Sequence, residues 1–315
     1  MHWRGVRHRA EYFFFRCLTC VLAVLSVRQT AALSRGLATL LCWLPRKWTR
    51  HEVARENLQR AFPQGIEGRT YDQVIFEMWV HLFRLVAEVV QSPRKLTLTN
   101  CREVVVFRNR QRVVAAFGTG RPVFVLGGHF GNWEVTMATF GLFGMPMGVV
   151  ARELDNPYLH RWFEESRRSV GHRLLLKKGG WDEMLELLQA RGCLGLLADQ
   201  DAGRKGTFVD FFGHPASTHK SIALMAIEHD ALLAVGYGRR LPDDFENARW
   251  SQFEIGCEEL LDSRDFSSPD ELTRGYTAAL ERAIRHAPEQ YFWLHRRWKT
   301  AAPAQRAIAN LKKAG

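Results

Sequence analysis

The stretch PVFVLGGHFGNWE, residues 122–134, determines how the rest of this chain can be interpreted. Its first five residues are apolar, two glycines follow, and residues 135–143 are a mixed apolar segment. This order predicts a buried strand, a tight turn and a helix, because glycine permits the backbone angles of a sharp turn. His129 would then lie at the strand end and Glu134 in or near the first helical turn.

The pairing of His129 with Glu134 is the first functional hypothesis. Such a turn can bring the two side chains together, so that the carboxylate fixes the tautomer of the imidazole and supports the cation formed when the ring takes a proton. The result is a base suited to deprotonate a hydroxyl. The adjacent helix N-terminus offers free N–H groups to an anion. A histidine and a glutamate five positions apart also occur by chance, but loops at strand ends often carry sites.

Strands and helices alternate from residue 101 onward, which is the pattern of an α/β fold. Apolar runs predict further strands at residues 101–107, 147–151, 194–198, 232–238 and 253–257. Helical spacing or helix-end signals predict helices at residues 51–62, 71–90, 110–118, 156–171, 181–191, 219–229 and 271–287. We therefore expect a mixed, mostly parallel sheet flanked by helices. Ligands bind such sheets at the C-terminal ends of strands, where both His129 and Asp199 fall.

The first 50 residues differ from the remainder. Two apolar runs, residues 17–27 and 31–44, follow an arginine-rich start, and neither reaches the roughly 18–20 uncharged residues of a helix that spans a bilayer. No cleavage site of a secretory signal follows them. We expect an N-terminal membrane-associated helical segment over residues 1–50, either an anchor helix or an interfacial hairpin, and a second, larger domain over residues 51–315. A buried helical hairpin is the alternative.

The charge balance is strongly basic. The 315 residues include 44 Lys and Arg against 33 Asp and Glu, a net charge of +11. Such a surface suits nucleic acid, an anionic membrane or a phosphorylated substrate. No zinc finger, low-complexity arm or basic stripe interleaved with aromatic residues is present, so we expect no nucleic-acid partner. The six cysteines are scattered through apolar runs. Cys17 and Cys20 form one CxxC motif, and no second CxxC is present to complete a metal site. This usage predicts buried thiols in a reducing compartment.

Several further motifs, taken in order, resemble those of the bacterial lipid A late acyltransferases, relatives of the glycerolipid acyltransferases. They are GGHFGNWE at 127–134, Arg152 with Asn156-Pro157, Arg167-Arg168 before Gly171, ADQDAG at 198–203, FVDFFGHPAST at 208–218 and YFWLHRRW at 291–298. An early block, Asn57-Leu58 with Ala61-Phe62-Pro63, is similar to theirs as well. The matching region covers most of the chain, from about residue 55 to residue 298.

The resemblance implies a glycerolipid acyltransferase-like fold and O-acyl transfer of the H-x4-E type. In that pattern His129 is the general base and Glu134 is its orienting carboxylate. The implied reaction moves a fatty acyl chain from acyl carrier protein or acyl-CoA to a hydroxyl of a glycolipid such as a lipid A precursor. The implied place is the cytoplasmic face of the inner membrane. The acyl donor is a co-substrate, and we expect no cofactor and no metal.

Seven residues within these motifs are expected to bind substrate. They are Arg152, Asn156, Arg167, Arg168, Asp199, Gln200 and Asp201. The planar guanidinium of arginine suits phosphate groups, and Arg167, Arg168 or the backbone N–H groups after His129 could stabilise an oxyanion. For each arginine a solvated helix face is the alternative. The two aspartates could bind sugar or amide groups, hold an arginine or stabilise a turn.

Two other classes of function compete with acyl transfer to a glycolipid. One is a metal-dependent hydrolase that uses His129, Glu134, Asp199 and Asp201 as ligands of manganese or magnesium. The other is a non-catalytic protein that binds lipid or membrane with the same fold. Within the acyltransferase hypothesis, a lysophospholipid or another glycolipid remains an alternative acceptor.

Overall fold

The centre of the fold is a seven-stranded sheet. A computed structural model describes residues 2–177 and 179–303, and over these residues the chain forms nine strands and eleven α-helices. Residues 304–315 of the expected second domain lie outside that description. The strands are β1 (Val105–Arg108), β2 (Val123–Gly127), β3 (Gly148–Ala151), β4 (Arg173–Leu176), β5 (Cys193–Leu197), β6 (Thr207–Phe211), β7 (His214–Thr218), β8 (Leu232–Arg240) and β9 (Phe253–Asp262).

Helices cover the sheet and form the N-terminal region. They are α1 (His2–Val24), α2 (Val27–Cys42), α3 (His51–Ala61), α4 (Tyr71–Lys95), α5 (Cys101–Val104), α6 (Arg110–Gly118), α7 (Trp133–Leu142), α8 (Pro157–Arg168), α9 (Trp181–Gln189), α10 (Lys220–Glu228) and α11 (Pro269–Arg285). Between β1 and β5 the chain alternates strand and helix, as the sequence predicts.

The strand order in the sheet is β1-β9-β8-β2-β5-β3-β4. Five of the six neighbouring pairs are parallel, and β8 and β9 run antiparallel. The strands β6 and β7 form a separate antiparallel hairpin. The predicted α/β fold with a mixed, mostly parallel sheet flanked by helices is therefore confirmed. Because β2 lies between β8 and β5, the C-terminal ends of β2 and β5 are neighbours at one edge of the sheet.

The two faces of the sheet are filled differently. On one face Phe124, Leu126 and Leu194 pack with residues of α9, α10 and α11 in a dense core. On the other face, toward α7, several positions of β2, β5 and β8 hold small residues. These are Gly127, Gly195, Ala234 and Gly236. Since successive side chains of a strand point to opposite faces, the same strands build a packed core on one side and leave a space on the other.

The N-terminal residues form a helical hairpin, α1 and α2, that packs on α4. Ser26 begins α2 with a capping box, in which its side chain accepts a hydrogen bond from the N–H of Gln29. Gln91 of α4 is buried and donates to the carbonyl oxygens of Leu22 and Leu25 at the bend of the hairpin. Among the described residues, no helix is both long enough and apolar enough to cross a bilayer, so the expected anchor helix is not supported.

Two element boundaries differ from the prediction for local reasons. The predicted strand at 101–107 begins as α5, because the carbonyl of Asn100 accepts from the N–H groups of Glu103 and Val104, and extended backbone starts only at Val105. Helix α4 continues past residue 90 to Lys95 with Pro93 inside it. Proline has no N–H for the carbonyl of residue 89, and the Ser92 hydroxyl donates to that carbonyl instead.

Candidate active site

His129 is the second residue after β2, and its imidazole contacts Asp199, the second residue after β5. Nδ1 of His129 is 2.8 Å from Oδ1 of Asp199, and the backbone N–H of His129 donates to Oδ2 of the same carboxylate at 2.7 Å. The Asp199 side chain is 3% exposed and that of His129 is 22% exposed. Gly128 permits this approach, because a Cβ there would lie 3.2 Å from Oδ2 of Asp199. One residue thus holds both the ring and the backbone of the histidine.

The expected contact between His129 and Glu134 is wrong. Glu134 lies in the first turn of α7, and its Oε1 accepts a hydrogen bond from Nη2 of Arg167 at 2.7 Å. The physical reason is the strand order. Because β2 and β5 are hydrogen-bonded neighbours about 4.8 Å apart, the residues that follow them face each other across the sheet edge. Asp199, and not Glu134, is therefore the carboxylate that contacts the imidazole.

The ion pair shifts both pKa values toward the charged forms. Burial lowers the pKa of His129, but the charge of Asp199 and its hydrogen bond outweigh burial, so the pKa is raised from 6.5. Burial raises the pKa of Asp199, and the charge and hydrogen bonds of His129, with a smaller contribution from Arg297, lower it below 3.8. Asp199 is therefore ionised at neutral pH, and the imidazole is a stronger base than a free histidine.

The second ring nitrogen of His129 is left free to act on a substrate. With Nδ1 donating to Asp199, Nε2 carries the lone pair. Its nearest polar neighbour is Nε2 of Gln200 at 3.5 Å, a weak contact at most. The rings of Trp133 and Phe292 flank the imidazole, with centroids 5.2 and 6.1 Å away. The ring is thus fixed on one side and accessible between two aromatic walls on the other.

The start of α7 presents unpaired backbone donors near the histidine. Asn132 precedes the helix, and its side-chain oxygen accepts from the N–H of Val135. The N–H groups of Trp133 and Glu134, the first two of the helix, have no acceptor among the described residues. Both residues line the cavity described next. Free N–H groups at a helix N-terminus suit a negatively charged oxygen.

An apolar tunnel of about 360 Å³ runs between α7 and the sheet. At the turn after β2 its wall is formed by Gly128, Glu134 and Arg167, and we call this part its mouth; His129 and Asp199 do not line the tunnel themselves. It occupies the space left by the small residues on this face of β2, β5 and β8. Its remaining wall includes Val125, Met137, Phe140, Phe143, Met147, Val149, Tyr237 and Ile255. A cavity with so apolar a wall suits a hydrocarbon chain better than a polar group, because it offers few hydrogen-bonding partners.

Of three predicted substrate-binding residues, two are exposed arginines and one is a buried asparagine. Arg152 is 84% exposed and lies 3.6 Å from Asp155, and Arg168 is exposed at the end of α8. Asn156 is buried: its Oδ1 caps α8, and its Nδ2 donates to the carbonyl of His8 in α1. Its oxygen and its amide nitrogen are both engaged within the protein, and substrate binding by Asn156 stays a prediction.

In the ADQD segment, Asp199 and Gln200 lie at the site and Asp201 stabilises a turn. Gln200 lies beside Nε2 of His129. The carboxylate of Asp201 accepts from the N–H of Gly203 at 3.1 Å and from the hydroxyl of Thr300 at 2.9 Å, and its N–H donates to Nε2 of His295 at 3.0 Å. Asp201 therefore joins the segment after β5 to the C-terminal motif, which is the turn role left open by the sequence.

The four ligands of the alternative metal site do not converge. Asp199 pairs with His129, Glu134 pairs with Arg167, and Asp201 faces Thr300. Within residues 2–177 and 179–303, no group of three or more His, Cys, Asp or Glu side chains is placed to share a metal ion. The arrangement thus gives the hydrolase hypothesis no ligand set.

Sequence reasoning missed a set of buried polar residues behind the active-site turn. They are His81, Arg84 and Glu88 on α4, with Arg240 and Gln290. A signal for the first three was present, because they recur at helical spacing within a helix whose other buried positions are mostly apolar. Arg240 and Gln290 come from distant segments, and nothing local in the sequence marks them.

The site thus combines a histidine held by a buried carboxylate with an apolar cavity whose wall includes the same turn. The comparison with known families agrees. The chain belongs to the bacterial lipid A biosynthesis acyltransferases, because the sequence model of that family matches residues 4–300. It is therefore an acyltransferase, and the resemblance seen in the motifs is confirmed.

Individual relatives lie at moderate distance. The lipid A biosynthesis palmitoleoyltransferase of Escherichia coli (strain K12) is 25% identical over 258 residues, which are 80% of this chain and 79% of that protein. The phosphatidylinositol mannoside acyltransferase of Mycolicibacterium smegmatis is 32% identical over 123 residues, 38% of this chain and 40% of the relative. Among solved structures, the 1-acyl-sn-glycerophosphate acyltransferase of Thermotoga maritima aligns with a TM-score of 0.40 and 13% identity, covering 79% of this chain and 100% of the other.

Proposed function

We propose that this enzyme transfers a fatty acyl chain from the thioester of acyl carrier protein or acyl-CoA to a hydroxyl of a glycolipid, such as a lipid A precursor. His129 is the general base, and Asp199 is its orienting carboxylate. The observation that carries the proposal is that the turn that holds the His129–Asp199 pair also forms part of the tunnel wall, through Gly128 and Trp133. The tunnel would hold the acyl chain and leave the thioester carbonyl beside the ring.

The proton path follows from the tautomer of His129. The acceptor hydroxyl gives its proton to Nε2 as its oxygen attacks the carbonyl carbon of the thioester. The tetrahedral intermediate then collapses, the carbon–sulfur bond breaks, and the imidazolium returns the proton to the leaving thiolate. Asp199 stabilises the imidazolium between the two steps. Base catalysis of this kind contributes roughly 10²–10⁴ in rate.

The intermediate needs donors for its oxyanion, and the start of α7 supplies them. The free N–H groups of Trp133 and Glu134 lie at the tunnel mouth, where the thioester oxygen would sit. Arg167 is a further donor there: its Nη2 is engaged by Glu134, whereas its Nε is buried and has no acceptor among the described residues. We infer that Glu134 holds Arg167 in place, so that Nε faces the donor substrate.

The acceptor class is inferred from the relatives and from charge. The named relatives include enzymes of lipid A biosynthesis and phosphatidylinositol mannoside acyltransferases, and both names describe glycolipids that carry phosphate. The net charge of +11 suits such an acceptor and an anionic bilayer. A lysophospholipid shares the phosphate and the hydroxyl, and it is therefore the acceptor to test alongside a glycolipid.

The helical hairpin is the proposed membrane-binding surface. Its exposed large apolar residues are Phe13, Phe14, Leu18, Val21 and Val24 of α1, Leu33, Leu37 and Leu40 of α2, and Trp43, Leu44 and Trp48 after it. Basic residues such as Arg16 and Lys47 are exposed among them. Apolar side chains with aromatic and basic neighbours are typical of interfacial helices, so we propose that residues 1–50 lie on the cytoplasmic face of the inner membrane as an interfacial segment.

The test is acyl transfer measured by mass spectrometry. Purified full-length protein in mixed vesicles is given acyl-ACP or acyl-CoA together with a lipid A precursor or a lysophospholipid. We expect one acceptor class to gain the mass of one acyl chain, and His129→Ala to abolish the gain. His286→Ala, a histidine on the surface near Glu258, is the matched control and should transfer normally. Vesicle binding without transfer from any donor would overturn the proposal in favour of a non-catalytic lipid-binding protein.

A further inference from the structure

Four buried residues form a closed ring of hydrogen bonds behind the turn that follows His129. We call it the α4 ring: His81 and Glu88 of α4, Arg240 at the end of β8, and Asn132 of the turn. Nε and Nη2 of Arg240 donate to the two oxygens of Glu88 at 2.6 and 2.7 Å, and Nη1 is 3.0 Å from Nδ1 of His81. Nδ2 of Asn132 donates to Glu88 at 2.9 Å, and Nε2 of His81 is 3.1 Å from the carbonyl oxygen of Gly131.

The arginine determines the direction of the bonds through His81. A guanidinium only donates, so Nδ1 of His81 accepts from Arg240 and Nε2 donates to the carbonyl of Gly131. Burial lowers the pKa of His81 well below 6.5, and the charge of Arg240 acts in the same direction. The imidazole is therefore neutral, with one tautomer. Glu88 is 0% exposed, and its pairing with Arg240 avoids an uncompensated buried charge.

The ring closes on a turn that is also held by the backbone. Gly131 has a φ of 61°, and a Cβ there would overlap the carbonyl oxygen of Gly238. The N–H of Gly131 donates to the carbonyl of Gln290 at 2.9 Å, and the N–H of Asn132 donates to that of Gly238 at 2.6 Å. The side-chain oxygen of Asn132 caps α7 at the N–H of Val135. The direction in which α7 leaves the turn is therefore fixed by the contacts of two consecutive residues, Gly131 and Asn132.

None of the ring residues lines the tunnel, so the ring can influence the reaction only through the turn. We propose that His81 is a positioning residue for acyl transfer. Oriented by the Glu88–Arg240 pair, it holds the carbonyl of Gly131, and with it the first N–H groups of α7, at a fixed place relative to His129. This inference rests on the proposed function, because it assigns those N–H groups to the oxyanion of the thioester intermediate.

The test compares two replacements of the same histidine. His81→Phe keeps the ring shape and removes both hydrogen bonds, and the amide of His81→Gln can still accept from Arg240 and donate to Gly131. We expect His81→Phe to lower kcat by about 10- to 100-fold, with KM for the acyl donor unchanged, because a displacement of the order of 1 Å costs about 10² in rate. We expect His81→Gln to recover most of kcat. The pH midpoint of kcat/KM should not move in either variant, since the His129–Asp199 pair is untouched.

Asp243→Asn is the matched control, because it disrupts another ion pair of α4, that of Arg84 with Asp243, without touching the turn. It should reduce thermal stability and leave kcat unchanged. Equal losses of kcat in His81→Phe and Asp243→Asn, or equal losses in the Phe and Gln variants, would overturn the positioning role. Hydrogen exchange of the amides in residues 130–137 supplies a readout that needs no turnover. It should quicken in His81→Phe alone, and it decides the positioning role even if the wild-type protein transfers no acyl group.

Discussion

Two ion pairs flank the same active-site turn, and they differ in burial and in origin. Asp199, 3% exposed, pairs with His129 across two neighbouring strands. Glu134, 21% exposed, pairs with Arg167 between two helices at the tunnel mouth. The carboxylate that is nearer in sequence is thus not the one that holds the base. Strand order, rather than spacing along the chain, determines which carboxylate contacts the imidazole and which one pairs with an arginine.

The largest expected effect is that of breaking the buried pair. Asp199→Asn keeps the shape but removes the charge that stabilises the imidazolium, and its amide can favour the wrong tautomer of His129. We expect kcat to fall by about 10³- to 10⁴-fold, as it does when the aspartate of a Ser-His-Asp triad is replaced by asparagine. Steady-state acyl transfer with a circular dichroism check of folding measures it. A larger loss in Glu134→Gln than in Asp199→Asn would reverse the assignment of the two carboxylates.

Breaking the half-buried pair should have a smaller and different effect. Glu134→Gln leaves Arg167 without its carboxylate partner. The interaction free energy of a pair of this exposure lies between that of a surface ion pair and that of a buried one. We therefore expect kcat/KM to fall by about 10- to 100-fold. Much of the loss should appear as a raised KM for the acyl donor, because Arg167 lines the tunnel mouth. Arg167→Gln is the companion variant: if the two residues act as a unit, the double variant loses no more than the worse single one.

The strands of the sheet could be predicted from the sequence, because they are short apolar runs separated by helices with recognisable spacing and end residues. The order of the strands could not be predicted, because β2 and β5 pair although they are about 70 residues apart, and no local sequence feature indicates this pairing. The mistake about Glu134 follows directly from this. A motif locates the histidine, whereas its partner is set by a neighbour in space, and Asp199 could be recognised as a site residue without its role being visible.

The tunnel and the α4 ring show a second limit of sequence reasoning. The tunnel exists because Gly127, Gly195 and Gly236 fall on the same face of three adjacent strands, and this coincidence is visible only when the register is known. The polar spacing of His81 and Glu88 on α4 could have marked a buried network. Their partner Arg240 is more than 150 positions away from both, so the closure of the ring could not be predicted.

The pH dependence of transfer tests the buried pair by its charge. The base must be neutral, and the pKa of His129 is raised from 6.5, so kcat/KM should rise with pH through a midpoint above that value. In Asp199→Asn the residual activity should have its midpoint at lower pH, because burial then acts on the imidazole without the opposing carboxylate. An unchanged midpoint would show that another group supplies the charge.

The pKa shifts of Asp199 and His129 also determine how the stability of the fold changes with pH. The lowered pKa of Asp199 contributes stability above its unfolded value that is lost as pH falls through the folded one. The raised pKa of His129 contributes stability that is fully present below its unfolded value and is lost as pH rises through the folded one. Thermal unfolding from pH 2 to pH 9 should therefore show the Asp199 trend below about pH 4 and the His129 trend above pH 6.5, and Asp199→Asn should flatten both. Glu134→Gln, which leaves the buried pair intact, is the control that should keep them.

The smallest effect should come from narrowing the tunnel, whose wall includes Glu134 and Arg167 and does not include Asp199. Gly195→Val adds a side chain on the tunnel face of β5, where a Cβ would lie 2.7 Å from Sδ of Met147. We expect long-chain donors to lose roughly fourfold in kcat/KM for each methylene that no longer fits, because a buried methylene contributes about 0.8 kcal/mol, and short-chain donors to react at nearly the wild-type rate. Leu194→Val, on the opposite face of the same strand, should lower stability without changing this preference. A uniform loss across chain lengths in Gly195→Val would mean that the acyl chain lies elsewhere, and the Arg167–Glu134 pair would then no longer mark the donor side of the site.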